Sequence, residues 1–113
     1  TVSGNTELEG YTKLGTVTDN APIIKMKEIT GVVSSDSQGS FITVPHGLAR
    51  SGIIAMNVLL NYGTGDVVPG FRGTAGFEFS IAYDDVNIYI YNIAGNSASI
   101  LSKPLKINIT YKQ

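Results

Sequence analysis

His46 is the only histidine of the 113-residue chain, and it stands in Val44-Pro45-His46-Gly47-Leu48. As a general base it would need a nucleophile within reach and an acid to orient its ring. Ser51 and Asp36 have suitable chemistry, yet no motif places either beside it. As a zinc ligand it offers one donor where a site takes three or four, so only three chains around an axis would complete a shell. The plain reading is a turn residue whose ring hydrogen-bonds the backbone beside Gly47, and we adopt it. Asp84-Asp85 offers carboxylate oxygens that suit calcium. The further spaced acids of a dedicated loop are missing, so the pair reads as a hairpin turn. No Lys-Ser or Lys-Thr follows the glycine-rich stretch, which excludes a phosphate cradle of the P-loop kind. Asn108-Ile109-Thr110 matches a glycosylation sequon but lies within a strand. No catalytic residue, metal or cofactor is expected.

Recognition chemistry is better represented. Residues 63–76 carry Gly63, Gly65, Gly70, Gly73 and Gly76 together with Asp66, Phe71 and Arg72, and Asn61 and Tyr62 stand at the base. Binding residues collect on loops held by a rigid scaffold. An acid, an aromatic ring and a guanidinium on one loop can hydrogen-bond and stack on a saccharide. A second candidate is Tyr89 with Tyr91, which alternate with Ile88 and Ile90. If the isoleucines point inward, the tyrosines form an outer stripe. A tyrosine has a flat apolar face and a polar tip, which suits a subunit interface or a sugar platform. The ligand-binding candidates are therefore Asn61, Tyr62, Asp66, Phe71, Arg72, Tyr89 and Tyr91.

These side chains must be held by strands. In Phe77-Glu78-Phe79-Ser80-Ile81-Ala82-Tyr83 and in Leu105-Lys106-Ile107-Asn108-Ile109-Thr110-Tyr111 large apolar residues recur at every second position. A period of two means a sheet with one buried and one wet face. Phe77, Phe79, Ile81 and Tyr83 are expected in the core, with Glu78 on the opposite face. Further strands are expected at 23–30 (ended by Gly31), 40–44, 53–62 and 86–93. Ile53 to Leu60 reads as covered on both faces. Ser34-Ser35-Asp36-Ser37-Gln38-Gly39 and Ala94-Gly95-Asn96-Ser97 read as turns, and Pro104 as a strand start. The fold expected is all-β, a small antiparallel β-sandwich of about six or seven strands at residues 22–113. Residues 1–21, rich in Thr and Gly and poor in apolar residues, are expected to be an extended lead-in.

Composition narrows the function classes. Nine acidic and eight basic residues give a net charge of −1, so the electrostatic footprint of nucleic-acid binding is missing. No apolar run reaches the roughly 18 residues of a membrane span. Cysteine is absent, which excludes disulfides and thiolate metal sites. Charged residues make up 15 % of the chain, below the roughly 25 % usual for soluble domains. That balance suits a virion or extracellular surface, or extensive subunit contacts. Few strands carry the charges that keep sheet edges apart, so self-association is expected. The chain opens on Thr1, and a fragment or processed product with more protein upstream is the expectation.

The order of segments resembles a known family. Ala21-Pro22-Ile23-Ile24-Lys25-Met26-Lys27 ends in Thr30-Gly31, and a Ser/Gly loop follows. Then come Val44-Pro45-His46-Gly47-Leu48, an aliphatic strand, and the closing Pro104-Leu105-Lys106-Ile107-Asn108-Ile109-Thr110-Tyr111. From about Ala21 onward this resembles the C-terminal receptor-binding tip domains of bacteriophage tail fibres, whose sandwich is similar to that of the H-type lectins. The resemblance implies a homotrimer on the virion, joined to an upstream fibre shaft and attaching to bacterial surface glycan. Sugar-contacting residues of the lectins do not map onto this chain one by one. Two other readings stand beside it. One is a trimerisation or capping module with no ligand. The other is a small polysaccharide hydrolase, which would need two carboxylates about 5–10 Å apart.

Overall fold

The computed structural model describes residues 12–13 and 23–112, and over them the chain is all-β. The strands are β1 (Thr12–Lys13), β2 (Ile23–Val33), β3 (Phe41–Pro45), β4 (Ile53–Asn61), β5 (Asp66–Val67), β6 (Phe79–Tyr83), β7 (Asn87–Asn92) and β8 (Pro104–Lys112). A 3-10 turn, Arg50–Gly52, leads into β4. The strands form two antiparallel sheets, ordered β1-β2-β8-β4-β5 and β3-β7-β6. This is the small sandwich that the alternation calls for. The lead-in expected at residues 1–21 lies outside the described residues except for Thr12 and Lys13, which pair with Ile24 and Ile23.

The most apolar strands sit in the middle of each sheet. β8 turns Leu105, Ile107 and Ile109 inward, and β7 turns Ile88 and Ile90 to meet them. All five are at most 4 % exposed. Burying each such side chain is worth about 1.5–3 kcal/mol. Val44, Val58, Leu60, Val67, Phe79 and Ile100 complete the core.

The polar cluster after β2 does structural work. Ser34 and Ser35 are buried. Ser34 Oγ donates to Ile100 O at 2.6 Å and accepts from Lys103 N at 2.9 Å. Asn92 Nδ2 donates to Ser35 O at 2.9 Å. These bonds staple the loop that joins the two sheets to the segment entering β8 and to the end of β7, and buried polar groups of this kind need such partners.

Several local expectations are corrected. Gly31 does not end β2. It sits at φ +78° within a bulge between Ile29 and Val32, and the strand runs on to Val33. β4 has one buried face rather than two: Val58 and Leu60 are buried, whereas Ile54, Ala55 and Asn57 are exposed. β6 begins at Phe79 instead of Phe77, and Tyr83 at its far end is exposed. Glu78 is buried rather than wet. On β2 the hydropathy of the faces is inverted, with Met26 73 % exposed and Lys27 half-buried. The long Lys27 stem tolerates this because its Nζ reaches His46 O at 2.6 Å.

Candidate functional site

The outer face of the three-stranded sheet carries an aromatic platform. Ile88 and Ile90 are fully buried, so the period of two turns Tyr89 and Tyr91 outward. The register places Phe41 of β3 opposite Tyr91 and Thr43 opposite Tyr89. The Phe41 and Tyr91 ring centroids lie 5.1 Å apart, and Phe41 and Tyr89 lie 6.1 Å apart. Tyr89 and Tyr91 are stacked at 6.3 Å. On the other flank, β6 presents only Ser80 opposite Tyr91 and Ala82 opposite Tyr89. Phe41 and Tyr91 remain 49 % and 37 % exposed. Three mutually packed rings with small neighbours make a broad apolar surface rimmed by hydroxyls. Phe41 belongs to the platform although sequence reasoning did not select it. Its signal was its place at the start of a strand that had no assigned partner.

A rigid support lies behind one end of the platform. His46 is fully buried. Leu48 N donates to Nδ1 at 3.1 Å, and the ring's Nε2 lies 2.9 Å from Asp84 O. A backbone N–H can only donate, so Nδ1 is the acceptor and Nε2 carries the proton. Both ring nitrogens are thereby occupied in holding the Pro45 break against the β6–β7 turn. Asp84 uses its side chain in the opposite direction. Its Oδ1 accepts from Asn87 N at 2.7 Å and Val86 N at 2.9 Å, and its Oδ2 accepts from Tyr89 Oη at 2.6 Å. The Asn87 amide, the Tyr89 hydroxyl and the Val86 amide hold the Asp84 carboxyl down at about 2. The same contact raises the Tyr89 hydroxyl above its ordinary value. Beside it, Arg50 Nε donates to Asp85 Oδ1 at 2.5 Å, and that pairing raises the Arg50 guanidinium.

The remaining candidates do not converge on one loop. β5 divides the glycine-rich stretch by pairing Val67 with Leu60 and Asp66 with Asn61. Asn61 and Asp66 therefore share one depression of about 290 Å³, lined also by Thr30, Lys106 and Pro104. The Asn61 side chain is engaged within its own turn, where Oδ1 accepts from Gly63 N at 2.7 Å. Tyr62 leans on Phe77 edge-to-face at 5.0 Å, and its hydroxyl crosses over Gly65, where a Cβ would come within 2.7 Å. Phe71 is exposed and packs against Gly73. Arg72 Nε donates to Glu78 Oε2 at 2.8 Å, while Asn96 Nδ2 donates to Glu78 Oε1 at 2.9 Å. Asn96 and then Arg72 lower the Glu78 carboxyl. This clasp fixes the base of the loop, so Arg72 is partly spent on structure.

Of the seven candidates, only Tyr89 and Tyr91 pack against each other, and Phe41 joins them. Among the described residues no three His, Asp or Glu side chains gather as metal ligands would. Comparison with protein-family models, with curated proteins and with solved structures found no match to this chain.

Proposed function

We propose that this chain is a non-catalytic attachment module that recognises bacterial surface carbohydrate as a homotrimer, in the manner of a phage tail-fibre tip. The observation that carries the reading is the exposed cluster of Phe41, Tyr89 and Tyr91 on a two-sheet scaffold. A pyranose presents a face of C–H groups that stacks on aromatic rings, and its equatorial hydroxyls reach the rim. One such site is weak, and three linked copies raise avidity without new contacts. The low share of charge and the neutral polar surface support a role outside the cell, on a virion.

Immobilised bacterial surface polysaccharide should retain the protein. Retention should fall about tenfold or more for Tyr91→Ala, as expected for loss of one stacking ring. Incubation with the same polysaccharide should release no new reducing ends. Undiminished retention of Tyr91→Ala would remove the platform from the proposal, and released ends would replace attachment with hydrolysis.

A second reading, a trimerisation or capping module without a ligand, draws on the exposed Met26 and Ile54 side chains of the larger sheet. It predicts that platform substitutions leave attachment unchanged while apolar substitutions elsewhere destroy assembly.

A further inference from the structure

The rim of the platform carries one carboxylate, Asp84, that no cation pairs among the described residues, beside the Arg50–Asp85 ion pair. Strands β3, β6 and β7 contain no acidic or basic residue. The turn that joins β6 to β7 adds Asp84 and Asp85 at one rim. Among the described residues no ion pair reaches Asp84. Arg50 takes Asp85 Oδ1, and Lys27 Nζ is turned to His46 O. Arg72 is held by Glu78, and Lys25, Lys106 and Lys112 belong to strands of the other sheet. Asp84 meanwhile cannot turn away from the rings, because two backbone amides hold Oδ1 and the Tyr89 hydroxyl holds Oδ2. A carboxylate oxygen has room for two hydrogen bonds, and Tyr89 supplies only one of those at Oδ2.

We propose that the platform selects uncharged pyranosides and rejects acidic glycans, with Asp84 Oδ2 accepting a sugar hydroxyl beside the Tyr89 ring. This rests on the glycan reading above and assigns its substrate class. A uronate, sialate or phosphate group seated over Tyr89 meets the fixed Asp84 carboxylate, and the platform strands themselves offer it no cation. A neutral hexose in the same place gains an acceptor. The discrimination is electrostatic and exposed, so salt weakens it within a Debye length of about 10 Å at 0.1 M.

The test is a panel of immobilised oligosaccharides in matched pairs, each hexose beside its hexuronic counterpart, probed with the full chain at low and high salt. Neutral members should be captured at least about fivefold more strongly than their acidic partners at low salt, the scale of one screened surface charge. The gap should narrow at high salt. Asp84→Asn keeps an oxygen for the two amides and should close the gap at low salt, with thermal melting confirming a folded protein. Equal capture of acidic and neutral partners by the wild type, lost in Tyr91→Ala, would overturn the selectivity and leave the glycan reading standing. Capture of no member would overturn both. A gap that is unchanged by salt and by Asp84→Asn would remove Asp84 from the assignment.

Discussion

His46, Asp84 and Tyr89 form a short relay from the core to the surface. The buried imidazole holds the Asp84 carbonyl, and the Asp84 carboxylate holds the Tyr89 hydroxyl. His46→Ala removes a buried ring and strands the Leu48 amide. The expected loss is about 2–4 kcal/mol in denaturant unfolding, combining a cavity with broken hydrogen bonds. A loss below about 1 kcal/mol would mean the relay bears little of the turn's stability. Asp84 also sets an acid limit. Its folded value of about 2 lies below the ordinary aspartate value of 3.8, so the unfolded chain binds the proton more readily. The stabilisation is therefore full above pH 4 or so, and is lost as pH falls towards about 2. Glu78, also lowered, adds to the same acid limb. Melting temperature should be level at neutral pH and fall through that window, with a shallower fall in Asp84→Asn. An identical acid limb in the variant would assign the loss to other carboxylates.

At the scale of elements, alternation made most of the sandwich legible. β7 and β8 have an unbroken period of two with β-branched residues, and both stand where the sequence places them. The tyrosine stripe followed from the same period. What alternation could not show was pairing, so Phe41 gained its meaning only when β3 was set beside β7. β5 was hidden because two residues have no period. Gly31 looked like a stop signal, yet a single left-handed glycine can bend a strand without ending it. Glu78 and Ser34 looked wet because Asn96 and Ile100, which bond them, are distant in sequence, and nothing local marks Arg72 as a partner of Glu78. Gly31→Ala tests the bulge. Nothing lies within 4 Å of the added Cβ, so only the backbone is strained. The expected cost is about 1–2 kcal/mol by denaturant unfolding. No loss at all would show that the bulge relaxes to an ordinary strand.

At the scale of the whole molecule, a trimeric attachment module needs one face for partners and another for ligand. The larger sheet leaves Met26 and Ile54 exposed, while the smaller one carries the aromatic platform. Assembly through the former leaves the latter free. Met26→Asp should lower the solution mass without unfolding the protein, since the side chain supports no core contact, and a retained mass would move the subunit seam elsewhere. The most direct test is light scattering after size exclusion, across a dilution series, on the wild type and on Phe41→Ala/Tyr91→Ala. Both should show a mass of about three 12.0 kDa chains. A wild type of one chain mass would contradict the trimer, and a variant that alone falls to one chain mass would make the aromatic face the subunit seam rather than a recognition surface.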